Sequence, residues 1–336
     1  MLKILVTGGF GFLGSHVVRT LLHEIDCQIS ILDGFNYAGN LNNLDKEIVR
    51  RVKRIYPVDI CSWQDLFAIQ ETFDVVVHTA AESHVTRSQQ SSNIFYQVNL
   101  EGTKQIATFA RNRAGRLINF STDEVYGDNL TGEAFDEDRF GEQKPTSPYA
   151  ESKYLADLYL QQLMKMTKFP ITIVRPTNCF GEYQHPEKML PRSIIKIISG
   201  EKAQLWGDGS QIRDWLYAGN LANAIYLIIN RQITGIYNIA PEIQPEISNK
   251  KLLETVCEIL KVDFKQSVEF VKDPRAEAGH HDQRYRIDAS KFKKIAQWVP
   301  FWNANGFHGR LEETIKFYQN NHWWWQPLTQ EAESIY

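Results

Sequence analysis

Short apolar runs and longer stretches with helical spacing alternate along the first half of the chain. Leu2–Val6, Asp74–Val77 and Leu117–Phe120 are nearly continuous runs, as parallel strands covered on both faces require. Gln28–Leu32, Arg54–Val58 and Phe169–Pro176 read as three further strands. Between them apolar residues recur at helical intervals: Val17, Val18, Leu21 and Leu22 after the first strand, and Ile94, Val98, Ile106 and Phe109 within Asn93–Arg111. Strands alternating with crossover helices predict an α/β fold with a doubly wound parallel sheet. Residues 128–146, acidic and containing Gly and Pro, read as a mobile loop. Beyond Pro176 the pattern breaks into loops and amphipathic pieces, with a helix ending near Ser199 and a buried one over Leu221–Ile229. The expected organisation is a sheet domain over 1–176, with returns to it around 212–240, and a smaller mixed α/β C-terminal lobe over 177–336.

The first strand runs into Gly8, Gly11 and Gly14, and a helix follows directly. In that position the first glycine permits a tight turn, the second lets the backbone approach a pyrophosphate, and the third lets helix pack closely on strand. A glycine triplet alone also fits an ordinary strand–loop–helix turn. Here the second strand ends at Asp33, about 20 residues on, where a Rossmann-type sheet places the acid that binds the ribose. A carboxylate there favours NAD, because it would repel a 2′-phosphate. Phe12 and Leu13 in the turn, Asp59-Ile60 after the third strand and Ala80-Ala81 after the fourth complete the candidate cofactor residues. Asp59 also reads as a helix N-cap before Cys61–Ile69.

The strongest chemical signal is Ser121-Thr122-Asp123-Glu124, which ends the fifth strand at the sheet edge where open α/β sheets bind ligands. A hydroxyl followed by two acids makes a poor strand, and adjacent carboxylates rarely titrate alike. One held as an acid and the other as a base can serve neighbouring substrate atoms. Further on, Ser147 and Pro148 suit the N-cap and first position of a helix. Tyr149 then lies one turn before Lys153 on the same face. A tyrosine is a weak base at neutral pH, and an ammonium nearby together with a nicotinamide cation would lower its pKa. His84, in the loop after the fourth strand, is open to reading as a ligand, a base or a solvated residue, and spacing alone favours the last.

Composition narrows the classes. Among 336 residues the net charge is -3, which gives no basic footprint for nucleic acid or an anionic membrane surface. Four scattered cysteines with no C-x-x-C pair suggest neither disulfides nor a metal cage, so a reduced, cytoplasmic setting is the default. No run approaches the ~20 apolar residues of a membrane span. Lys188, Arg192, Arg213, Arg275 and Arg284 are dispersed basic residues, read either as solvated surface charge or as a local site for a diphosphate.

From Thr7-Gly8-Gly9-x-Gly11-x-x-Gly14 through Tyr149-x-x-x-Lys153 to Arg213-Asp214-Trp215, the chain resembles the extended short-chain dehydrogenase/reductases. Within them it is similar to the dTDP-glucose 4,6-dehydratases in Tyr37–Leu41, Ala80–Val85, Ser121–Gly127, His185–Lys188 and Asp282-x-Arg284-Tyr285. The resemblance implies an internal redox cycle on a tightly bound, recycled NAD. Tyr149, with Lys153 beside it and Thr122 on the same oxygen, would serve at C4 of an NDP-glucose. Glu124 would abstract the C5 proton and Asp123 would protonate the departing 6-hydroxyl. It further implies substrate contacts from Ser83, His84, Asn178, Glu187, Lys188, Trp206, Arg213, Arg275 and Arg284. The chain departs from that pattern at Thr86, at Cys179–Glu182 and in the expanded stretch 275–282. The same scaffold also fits an NAD-dependent NDP-sugar 4-epimerase or decarboxylase, and a non-enzymatic NAD-binding sensor or scaffold. The resemblance adds a homodimer through a four-helix bundle built on the helices that start near Asn93 and Ser147. His322–Pro327, with three tryptophans, reads as such a contact or as a helix end capping its own lobe.

Overall fold

The computed structural model describes residues 1–273, 282–300 and 306–333. Strands β1 (Leu2–Thr7), β2 (Cys27–Leu32), β3 (Arg54–Tyr56), β4 (Val75–His78), β5 (Leu117–Phe120) and β6 (Ile171–Pro176) are the six expected from the apolar runs. β7 (Asn178–Phe180), β8 (Ala203–Trp206), β9 (Ile212–Arg213) and β10 (Trp215–Tyr217) follow, then β11 (Gly235–Ile239), β12 (Ile247–Ser248) and β13 (Val268–Val271). The central sheet has seven parallel strands in the order β11-β6-β5-β4-β1-β2-β3. Its seventh strand, β11, was not expected as a strand and returns from the second half of the chain. β1 pairs with β2 on one side and β4 on the other, so strand order reverses there and a crevice opens at the C-terminal ends of both.

The fully apolar strands demand cover on both faces, and they receive it. Helices Phe12–Glu24 and Ala218–Asn230 bury Val17, Val18, Leu21, Leu221 and Ile225 against one face. Thr103–Arg113 and Pro148–Met166 bury Ile106, Phe109, Leu160 and Leu163 against the other. The second lobe carries three two-stranded sheets, β7 with β10, β8 with β13 and β9 with β12. It has its own core of Phe180, Ile194, Leu252, Ile315 and Trp325, drawn from four helices and the β7 strand.

Two expectations need correction. The helix read over Asn93–Arg111 is interrupted: Ser92–Phe95 is followed by a π-helical segment, Tyr96–Gly102, before Thr103–Arg113. The wider turn coincides with Asn99, whose carboxamide bonds the backbone of Glu82 on both sides (2.9 Å each) and Ser152 Oγ at 2.9 Å. Apolar periodicity is blind to such a polar anchor. The acidic loop 128–146 is packed rather than free, since Phe135 is buried and exchanges backbone hydrogen bonds with Arg286 and Asp288. Its partner lies some 150 residues along the chain, beyond the reach of local composition.

Candidate active site

The glycine turn is as tight as its sequence requires. Gly8 has φ +68°, and a Cβ on it would lie 2.8 Å from the backbone of Ala80. A Cβ on Gly14 would lie 2.0 Å from the Gly8 carbonyl oxygen, so only glycine lets the helix start this close to β1. The helix begins at Phe12, and Phe12 and Leu13 line the cavity above it with the free amides of a helix start. Asp33, Asp59, Ile60, Ala80 and Ala81 line the same cavity, as do Tyr149 and Lys153. Asp33 accepts from the amides of Phe10 and Phe35 (both 2.9 Å), and burial raises its carboxyl. Asp59 accepts from Cys61 N at 2.8 Å, the turn-capping reading, while lining the cavity as well. A narrow backbone cradle, a helix N-terminus and an acid at the far edge fit a dinucleotide.

At the end of β5 the chain turns sharply. Thr122 caps a 3₁₀ turn over Asp123–Tyr126, its Oγ1 accepting from Glu124 N at 3.3 Å, and Gly127 at φ +78° ends it. Thr122 also donates to Asp123 Oδ1 at 3.1 Å, leaving the buried Oδ2 without a partner among the described residues. Burial, with the neighbouring Glu124 charge, pushes Asp123 up to about 8. Asp123 is therefore a neutral acid at pH 7, its proton free to occupy the unpartnered oxygen. Glu124 opens onto a second cavity.

Ser147 accepts from Ala150 N at 3.1 Å and Pro148 takes the first helical position, which fixes Tyr149 and Lys153 one turn apart over the β5 end. Lys153 donates to the Phe120 carbonyl at 2.5 Å, and burial lowers its ammonium to about 8. The Tyr149 hydroxyl is raised by burial and by the Glu124 charge, with a side-chain interaction with Thr122 opposing. The lowering expected from Lys153 together with a nicotinamide cation is thus not supplied by Lys153 alone. A side chain so deeply desolvated keeps its proton until positive charge enters its cavity.

The second cavity collects Ser83, His84, Asn178, Glu187, Lys188, Trp206 and Arg213. His84 is buried rather than solvated: it caps a short helix, accepting from Arg87 N at 3.2 Å. Lys188 donates to Ser83 O at 2.5 Å, and Tyr37 donates to Glu187 Oε1 at 3.0 Å. The Asn178 side-chain oxygen, Oδ1, is buried with no partner among the described residues, a group that a ligand would satisfy. Arg213 stacks 4.4 Å over Tyr285 and donates to the carbonyls of Ile212 and Asp282 at 2.7 and 2.9 Å. Arg284 does not line this cavity; it pairs with Glu246 at 2.7 Å. Arg275 lies outside the described residues. Sequence reasoning missed Thr146, Lys196, Gln204, Asn249, Asp282 and Tyr285 as lining residues. The quoted Asp282-x-Arg284-Tyr285 was a usable signal, but its cation drew attention away from the acid and phenol that face the cavity. Trp324 and Leu328 are a second omission, lining the dinucleotide cavity from the last helix.

The model of the NAD dependent epimerase/dehydratase family matches residues 4–240, which hold the glycine turn, the Thr122–Glu124 turn and the Tyr149/Lys153 pair. The chain belongs to that family. Within this epimerase/dehydratase family it is 36% identical to a dTDP-glucose 4,6-dehydratase of Escherichia coli over 360 residues, covering 97% of this chain and 96% of that protein. It is 33% identical to the dTDP-glucose 4,6-dehydratase of Neisseria meningitidis serogroup B over 352 residues, covering 98% of this chain and 96% of the relative. A crystal structure of dTDP-glucose 4,6-dehydratase from Bacillus anthracis in complex with NAD superposes with a TM-score of 0.86 at 32% identity, covering 98% of this chain and all of the other.

Proposed function

We propose that this protein is an NDP-glucose 4,6-dehydratase, with dTDP-glucose the first substrate to test, forming an NDP-4-keto-6-deoxy sugar and water. The carrying observation is Asp123, a buried carboxyl beside Glu124 whose Oδ2 has no partner among the described residues and which burial pushes up to about 8. An epimerase has no use for an acid beside a carboxylate at this turn, whereas water elimination needs a proton donor for the leaving hydroxyl. When bound, NAD supplies reversible two-electron chemistry at the sugar and, oxidised, a positive charge within the cavity that Tyr149 lines. Tyr149 takes and returns the 4-hydroxyl proton, and Thr122 holds the same oxygen. Glu124 removes the C5 proton, made acidic by the 4-ketone, while Asp123 protonates the 6-oxygen as it leaves as water. Gly8, Gly11, Phe12, Leu13, Asp33, Asp59, Ile60, Ala80 and Ala81 hold the dinucleotide. Lys188 and Arg213 meet the diphosphate, and Trp206 packs on the base.

The division into a dinucleotide lobe over 1–176 with its return at 212–240 and a sugar-nucleotide lobe over 177–336 belongs to this reading. So do a homodimer through the helices of 92–113 and 148–166 and a cytoplasmic location. Among the described residues no helix is long and apolar enough to cross a membrane. The decisive assay incubates the protein with dTDP-, UDP-, CDP- and GDP-glucose without added NAD and reads the alkali-induced ultraviolet absorbance of the keto sugar. Absorbance with at least one donor is expected. A product that keeps its 6-oxygen would make the chain an epimerase instead.

A further inference from the structure

The tryptophan run near the C-terminus has no role in the chemistry above, yet one of its members reaches the dinucleotide cavity. Trp324 and Leu328 are one turn apart on the His322–Glu333 helix, and both line that cavity. Trp324 is 2% exposed, although its helix belongs to the second lobe and packs in that lobe's core. Its indole N–H donates to Asn43 Oδ1 at 2.8 Å, across 281 positions of sequence. Asn43 is itself buried, and its Nδ2 donates to the Phe10 carbonyl at 2.8 Å. An indole nitrogen can only donate, so the carboxamide has one possible orientation, oxygen to Trp324 and nitrogen to Phe10. Phe10 sits between Gly8 and Gly11, within the turn that cradles the dinucleotide.

A second contact closes the same seam. Tyr183, another lining residue, meets the Trp324 ring edge-on at 5.5 Å, and Arg19 of the Phe12–Glu24 helix lies 4.3 Å over the Tyr183 ring. Arg19 also donates to the Asn43 carbonyl. The last helix is anchored from below, since Trp325 donates to the Tyr318 carbonyl at 2.8 Å.

We propose that Trp324 is a cofactor-site residue, whose indole walls the dinucleotide cavity from the second lobe and, through Asn43, fixes the glycine turn so that bound dinucleotide is retained. This rests on the reading of that cavity as the NAD site. Retention suits a reaction that ends with its cofactor in the starting redox state, because nothing in the cycle requires exchange. Trp324 is a positioning and retaining residue and takes no part in proton transfer.

The test uses the full chain carrying Trp324→Ala, Trp324→Phe, Asn43→Ala, Leu328→Ala or, as a control, Trp323→Ala, whose side chain is 59% exposed. Two quantities are measured: dinucleotide released by acid per chain as isolated, and the rate at which excess labelled NAD displaces the bound form. Trp324→Ala should exchange at least about tenfold faster, the effect of losing about 1.4 kcal/mol of contact. Trp324→Phe, which keeps the wall and loses the bond to Asn43, should fall between it and wild type, and Trp323→Ala should match wild type. Wild-type melting with wild-type exchange in Trp324→Ala overturns the proposal. If Trp324→Ala does not fold, wild-type exchange in both Asn43→Ala and Leu328→Ala overturns it equally. Keto-sugar formation by the wild-type chain is scored separately. Product with an unchanged exchange rate in the variants defeats only this inference, and bound NAD without product defeats only the dehydratase reading.

Discussion

The two cavities share Ser83, Gln184, Glu187 and Lys188 and are nearly equal in size, about 210 Å³ for the dinucleotide and about 220 Å³ for the substrate, yet they are built in opposite ways. Most of the dinucleotide cavity is made of consecutive residues that follow β-strands: the glycine turn after β1, Asp33–Asn40 after β2 and Thr79–Ser83 after β4. The substrate cavity takes short pieces from many connectors, with Thr146, Trp206, Asn249 and Asp282 reaching it from separate parts of the chain. A site laid along strand ends is fixed by the sheet, and few of its residues can change without a clash. A site assembled from connectors spreads its recognition over many contacts, each worth less. Asp123 belongs to the strand-end construction and should be costly to alter, whereas Trp206 belongs to the dispersed one and Arg284 lies outside both.

Asp123→Asn should have the largest effect. The substitution keeps the shape and the bond with Thr122 but removes the transferable proton, so keto-sugar formation should fall ~10²–10⁴-fold, the usual contribution of a placed acid. Wild-type activity should itself decline as pH rises through about 8, where the acid form is titrated away. The substitution's effect on stability has the opposite sign to its effect on activity. The carboxyl is raised in the folded state, so the folded chain holds the proton more tightly than the unfolded one. Its contribution is full below the unfolded pKa near ~4 and is lost as pH rises through about 8. The asparagine never ionises, so its unfolding free energy should gain on wild type with rising pH, by an amount on the order of a few kcal/mol at pH 8, read as a rising relative melting temperature. Equal melting curves for the two chains across pH 5–9 would show that Asp123 ionises freely and remove it as the acid.

Trp206→Ala should act on binding alone. The side chain lines the substrate cavity and lies away from the Thr122–Glu124 turn at the end of β8. Stacking on a base is worth about 1–3 kcal/mol, so KM for the sugar nucleotide should rise about tenfold or more, with kcat within about threefold of wild type. A fall in kcat at constant KM would place Trp206 in the chemistry and blur the distinction between the two cavities.

The same contrast explains what could be read in advance. Six of the seven sheet strands and the cavity-lining residues Gly8, Gly11, Phe12, Leu13, Asp33, Asp59, Ile60, Ala80 and Ala81 follow from local patterns, because a buried parallel strand and its turn are written in adjacent residues. The neutral state of Asp123 was legible only as a pairing of unlike acids; its direction depended on burial in the folded chain. For Tyr149 the proximity of Lys153 is visible in sequence, whereas the desolvation that raises its hydroxyl is not. Trp324 was out of reach because its partner, Asn43, lies in a different lobe. Arg284 differs in the other direction, as a cation in a matching stretch that pairs with Glu246 and does not line the cavity.

Arg284→Ala should therefore be the mildest of the three. Its guanidinium bonds Glu246 through Nε and Nη2 at 3.1 and 2.7 Å, with side-chain exposures of 13% and 25%, and takes no part in lining the substrate cavity. The pair ties the stretch beside β9 to the connector before β12, which makes it a brace of the second lobe. A partly buried ion pair of this kind contributes on the order of 1 kcal/mol, so the variant should melt a few degrees lower. KM and kcat should stay within about twofold, because the residues that face the ligand from the same stretch, Asp282 and Tyr285, keep their bond to each other. A tenfold rise in KM at unchanged melting temperature would reverse the assignment: it would mean that Arg284 leaves Glu246 when a diphosphate arrives, and that the dispersed cavity rearranges to recruit cations which its resting geometry holds aside.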